Sequence, residues 1–320
     1  MYFCLFPLRR QNPRLAGAEP ALETALAAAS RGRWEPAAQL FRDTGPDWER
    51  RALYAHRLGH LAARESDKWL RSWQAARPDD PDQALVQARA RVHLAWKLRG
   101  RMLARYTSQK RFAGFHHELL HSREDIARAA TLNPEDPTPL IDEIWRALGL
   151  GYSNDEMRVL WAEITARAPH HFEAHCSALQ YWCAKWRGSR TLARDFAESA
   201  ASKAPTGSLM TALPLIAWFE NHAGEVSVES YRRPEMRALV DAVLMDVAAA
   251  EGHPRLPEVR HLLAYFLVKQ ARYRAALEQF RLVDGYVDAL PWRYQLFTRL
   301  SYRVARTKAA RGALLERLGR

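Results

Sequence analysis

The chain has 320 residues, 48% of them hydrophobic, with Ala and Leu abundant and β-branched residues sparse; that rules out a disordered chain and favours helix. Its 48 Lys and Arg against 36 Asp and Glu give a formal charge of +12, a balance that suits anionic partners. Cys4, Cys176 and Cys183, the three cysteines of the chain, are too sparse and odd in number for a disulfide framework.

The chain opens on "MYFCLFPLRR", where two arginines follow about eight apolar residues interrupted by Pro7. A secretory leader has the reverse charge order and a longer apolar core. Nothing further along approaches the roughly 18 apolar residues of a membrane span. The expectation is a cytoplasmic protein without a membrane span, carrying a short N-terminal arm (1–14) that docks on the rest.

Beyond the arm, amphipathic helices alternate with polar turns. Turn punctuation falls at 30–34, 43–47, 77–83, 132–139, 149–155, 167–171, 186–190, 203–208 and 251–257. Each segment carries Gly or Pro with Asp, Asn or Ser, or a comparable polar cluster, the residues that stop one helix and cap the next. The longer irregular stretch "HAGEVSVESYRRP" predicts a linker or loop over 223–233. It divides a helical-repeat region (15–222) from C-terminal helical repeats with a basic end (234–320).

A finer pattern recurs. In "HLLAYFLVKQARYRAALEQF" (261–280), Leu263, Ala264 and Leu267 line one helix face, and Tyr273, Ala276 and Phe280 line the next. Small residues let helix axes approach, and large ones fill the groove between pairs. Trp34, Ala37 and Phe41 repeat the second half of the pattern, as do Trp73, Ala76 and Pro81, and Ile126, Ala129 and Pro134. This resembles the tetratricopeptide repeat. The segment "AHCSALQYWCAKWRGSR" followed by "APTGS" also looks like an uncharacterised actinobacterial branch of such proteins, which implies a fold and no activity. The fold expected from the resemblance is all-α: a right-handed superhelix, or α-solenoid, of antiparallel helical hairpins with a concave face.

Residues 116–121 contain His117-Glu118-x-x-His121, the pattern of zinc hydrolases, in which two histidines one turn apart bind the metal and the Glu polarises a water. Wound at about 100° per residue, the helix puts Phe115, Leu119, Ile126, Ala129 and Ala130 on one stripe, flanked by Leu120 and Ala127. His117 and His121 fall opposite, beside Glu124, Asp125 and Arg128, on a polar face. A second pair, His171 and His175, lies within "PHHFEAHC" (169–176). There His175 shares the apolar side with Phe172, Leu179, Trp182, Cys183 and Trp186, which predicts a packed histidine bonded to a carbonyl of the next helix. The sharper alternative is a metal or ligand pocket of His171, His175 and Cys176 or Cys183. Those cysteines would lie about 10 Å apart along a helix, too far for a disulfide.

Residues 83–117 hold eight basic residues and no acid, and 289–320 hold eight basic residues and one acid, Glu316, leaving −3 for the remainder. Within the first, Arg89, Arg91, Lys97, Arg101 and Arg105 are candidates to meet an anion or an acidic segment. Trp182 and Trp186 are candidates to line a groove. Aromatics interleaved with Arg also fit single-stranded nucleic acid. The preferred expectation is a non-catalytic scaffold without cofactor, holding a protein or peptide segment, an acidic one being the natural complement. The alternatives are a zinc-dependent hydrolase through His117, Glu118 and His121, and a nucleic-acid binder through the two basic segments.

Overall fold

The computed structural model describes residues 10–100, 106–222 and 226–319. Among them the chain forms sixteen α-helices and no strand. None of these helices is long and apolar enough to cross a membrane. The expected turns at 30–34 through 251–257 all fall between helices or at their ends. The helices belong to two compact units: Pro20–Ala193, and a second made of the residues up to Glu19 together with Arg194–Arg320. This division falls inside a helix, upstream of the irregular stretch at 222–234. Of that stretch, 223–225 lie outside the described residues and Val228–Arg232 are helical.

In the unit Pro20–Ala193 the helices are α1 (Pro20–Ala29), α2 (Glu35–Thr44), α3 (Trp48–Arg64), α4 (Lys68–Ala76), α5 (Pro81–Arg99), α6 (Gln109–Leu132), α7 (Thr138–Leu150), α8 (Asn154–Arg167) and α9 (Phe172–Trp182). Their starts are written in the sequence. Asp80 accepts from the backbone of Asp82 and Gln83 with Pro81 in the first turn, Ser108 accepts from Arg111, and Ser153 with Glu156 forms a capping box, which satisfies N–H groups the helix cannot. Helices α5 and α6 run antiparallel. Arg111 Nε donates to Leu98 O at 2.9 Å near one end, and Ala84 and Ala88 pack with Ile126 and Ala129 near the other. The odd-numbered helices pack on one another, α3 on α5, α5 on α7 and α7 on α9, while α3 also reaches α7 and α9 directly.

In the other unit, α10 (Arg190–Lys203) crosses the boundary and is followed by α11 (Leu213–His222), α12 (Val228–Arg232), α13 (Pro234–Ala249), α14 (Leu256–Lys269), α15 (Tyr273–Leu282) and α16 (Thr298–Arg317). Leu263, Ala264, Leu267, Ala276 and Phe280 are buried, as their spacing predicts. Residues 10–19 lie against this unit: Asn12 N–H donates to Gly285 O at 2.7 Å, Val287 N–H to Asn12 O at 3.1 Å, and Asp288 N–H to Leu15 O at 3.0 Å. His261 on α14 closes the arrangement. It is fully buried, with Nε2 2.9 Å from Ala16 O and Nδ1 accepting from the Trp292 indole at 3.1 Å. Burial lowers its pKa to about 4, so the ring is neutral and one tautomer serves both bonds. Of the arm expected over 1–14, residues 1–9, with Cys4, lie outside the described residues.

Candidate functional site

Helix α5 carries polar side chains into the layer of odd-numbered helices, and α3 comes close enough to meet them because residue 59 is glycine. A Cβ at Gly59 would stand 2.8 Å from Arg89 Cγ and 3.0 Å from Ala90 N. At the start of α5, Arg51 of α3 bridges Asp82 Oδ1 at 2.7 Å and Asp136 Oδ2 at 2.9 Å, its guanidinium 5.3 Å from the Phe41 ring. Burial pulls the Arg51 pKa down, but Asp136 and Asp82 outweigh it and hold the guanidinium above its ordinary value.

Two turns on, Arg89 is buried between Asp142 of α7 and Glu173 of α9. It contacts Asp142 through Nε and Glu173 Oε1 at 2.8 Å through Nη1, and Nη1 also lies 3.4 Å from His56 Nδ1. Charges this far from water persist when paired. Burial pushes the Asp142 carboxyl up to about 7 against the pull of Arg89. The half-buried His93 places Nε2 3.2 Å from His56 O, and burial followed by Arg89 holds its pKa well below the usual value. His56 and His60 approach the His93 ring at 4.7 Å and 5.4 Å.

Near the end of α5 the chemistry turns aromatic. Half-buried Trp96 meets Phe115 at 4.9 Å, Trp186 at 5.4 Å and Trp145 at 5.8 Å, each edge to face. Arg99 lies over Trp186 at 5.2 Å and over Trp96 at 5.7 Å, a cation–π arrangement. Trp145 Nε1 donates to Ser177 Oγ at 3.1 Å. Lys97, next to Trp96 in the chain, is exposed and donates to Ala63 O of α3 at 2.9 Å.

The start of α9 is clasped to the start of α3. Glu49 accepts from the Phe172 backbone, and His171 Nδ1 accepts from Ala174 N–H at 3.3 Å while Nε2 lies 3.2 Å from Trp48 O. His175 is packed, as its face predicts, and its Nδ1 lies 2.9 Å from His171 O at the start of its own helix. Burial brings its pKa down to about 4, and Trp161 meets it edge-on at 4.8 Å.

The sequence candidates therefore separate. Arg89, expected at a groove, is an interior residue held by two carboxylates. Arg91 contacts Asp125 and lies 3.1 Å from Glu118 Oε2. Arg101 and Arg105 lie outside the described residues. Trp182 is buried, whereas Trp186 is half-buried and joins the aromatic cluster. His117 and His121 are exposed, their rings 4.2 Å apart, with Glu118 turned toward Arg91. His171 and His175 are engaged with backbone, and Cys176 and Cys183 remain thiols. Among the described residues, no three His, Cys, Asp or Glu side chains stand together as a metal would require. The reasoning from sequence missed Arg51, Asp82, Asp136, Asp142, Glu173, His56 and His93. One signal was available: Arg89 shares its helix face with apolar residues, and a charge there demands a partner.

No protein-family model, curated protein or solved structure matches the chain.

Proposed function

We propose that the chain is a non-catalytic scaffold of stacked helical hairpins, tetratricopeptide-like in its packing, that holds an extended protein segment of acidic character. The observation that carries this reading is the surface at the end of α5: half-buried Trp96, Trp145 and Trp186, drawn from three parts of the chain, with Arg99 stacked on two of them and the exposed Lys97 on the same turn of α5 as Trp96. Indole faces give a bound segment flat contact area, and the cations select carboxylates. The middle of the odd-helix layer is filled by Arg89, Asp142 and Glu173, so the segment docks at the aromatic end.

The hydrolase reading is not adopted, because Glu118 is engaged by Arg91 and both histidines are exposed. The nucleic-acid reading loses Arg89 and Arg91, whose charges are met by carboxylates within the fold.

Panning a random peptide library against the full chain tests the proposal. Asp- and Glu-rich peptides are expected, bound at least tenfold more weakly by Trp186→Ala and by Arg99→Glu, about 1.4 kcal/mol each, with helical content unchanged. No enrichment over an unrelated helical protein would sink it.

A further inference from the structure

Helix α16 has two apolar faces. Tyr302, Arg306, Ala309 and Ala313 face inward, with Phe280 and Trp292 against Tyr302 at 5.3 Å and 5.5 Å. The opposite face should be polar in a helix with one packed side. Instead Leu300 and Val304 stand 57% and 60% exposed, and just before the helix Leu296 and Phe297 stand 89% and 64% exposed. Leu315 and Leu318 continue the stripe, also exposed.

The exposed charges beside this stripe on α16 are of one sign, while before the helix Glu220 accepts from the Tyr294 hydroxyl at 2.8 Å. Arg299, Arg303, Lys308 and Arg311 are exposed. The one acid of 289–320, Glu316, is turned away and accepts from Tyr273 N–H at 3.2 Å and Arg274 N–H at 3.3 Å, at the start of α15. The acids just upstream are likewise engaged with arginines, Asp284 with the inward Arg306 at 3.1 Å and Asp288 with Arg293 at 3.7 Å.

We infer that this outward face of α16 docks on an anionic lipid surface, lying in the plane of the interface. A second copy would bring two faces of the same charge together. A partner helix normally sits in a walled apolar groove, whereas these side chains project from a single helix and its preceding turn. Arg311 also interrupts the stripe between Val304 and Leu315, where a protein interface would bury its charge. A bilayer surface accepts that pattern: apolar groups enter the acyl boundary, and arginine and lysine stems carry their charges back to the headgroups. The shared chemistry is negative headgroup charge over hydrocarbon.

Vesicle flotation with the full chain tests this, using phosphatidylcholine alone and with roughly one-third phosphatidylglycerol, at about 0.1 M and 0.5 M salt. Binding to the anionic vesicles at low salt is expected to exceed that to neutral ones at least tenfold and to weaken with salt. Leu300→Asp with Val304→Asp, and separately Arg299→Glu with Arg303→Glu, should each cut it at least tenfold with unchanged circular dichroism, since all four positions are exposed. Absence of binding to both vesicle types, equal binding to both, or binding that survives both double variants would overturn the inference. So would a solution dimer dissolved by the leucine–valine variant without any vesicle binding, which would make a second copy the occupant. The peptide experiment above reads a different surface, so either result can fail alone.

Discussion

His261 illustrates how much one interior side chain can hold. Phenylalanine there would keep a ring while leaving the Trp292 indole N–H and the Ala16 carbonyl without their bonds, a loss of about 3 kcal/mol. The urea midpoint of His261→Phe should fall accordingly; an unchanged midpoint would mean the clamp contributes nothing. His261 and His175 also set a pH dependence. Both are lowered to about 4 by burial, so between about pH 4 and their unfolded value near 6.5 the unfolded chain binds more protons. Stability from these groups is complete above about 6.5 and declines on acidification toward 4. Asp142 acts oppositely, because raised to about 7 it retains in the fold a proton the unfolded chain releases. With three lowered histidines, His93 included, against the raised carboxyls of Asp142 and Asp82, stability should decline from about pH 6.5 to 4.5, as urea titrations at each pH would record; a flat profile would contradict neutral buried rings. The packed side of His175 was legible from helix winding. Arg89 with Glu173 was not, since the winding shows that Arg89 needs a partner while the partner lies 84 residues away.

Helices were the most readable part of the chain, because their stops and starts are spelled in Gly, Pro, Asp and Ser. Helix α6 buries Phe115, Leu119, Ile126 and Ala129 as wound, and also Ser122, whose hydroxyl satisfies itself on Leu119 O at 2.7 Å. Leu120 and Ala127, placed at the flanks of that stripe, are exposed. How closely two helices approach was harder to read, since it depends on a missing side chain meeting a distant one. Gly59 is such a position for α3 and α5, and Gly312 for α16 against the Tyr273 ring of α15. Gly59→Val should cost about 2 kcal/mol through overpacking against Arg89 and the α5 backbone. Chemical unfolding would measure it, and a loss under about 0.5 kcal/mol would show that α3 shifts freely.

Charge along the chain misleads about charge in space. The segment 83–117 has no acid of its own, yet Arg89 and Arg91 meet Asp142, Glu173, Glu118 and Asp125, so two of its cations are paired within the fold while Lys97, Lys110 and Arg111 stay exposed. The segment 289–320 keeps exposed cations on α16, and there the uneven composition did forecast a surface. What sequence alone left unread is this sorting, because it depends on which helices become neighbours. The contact of α3 with α9 is the clearest case. Trp48 and His171 are 123 residues apart, and α4 through α8 lie between them. An open array of hairpins gains or loses a unit by duplication or deletion with little penalty, since each unit touches only the next. Here α3 and α9 hold each other across the five helices between them, so contacts in this unit are not confined to successive helices.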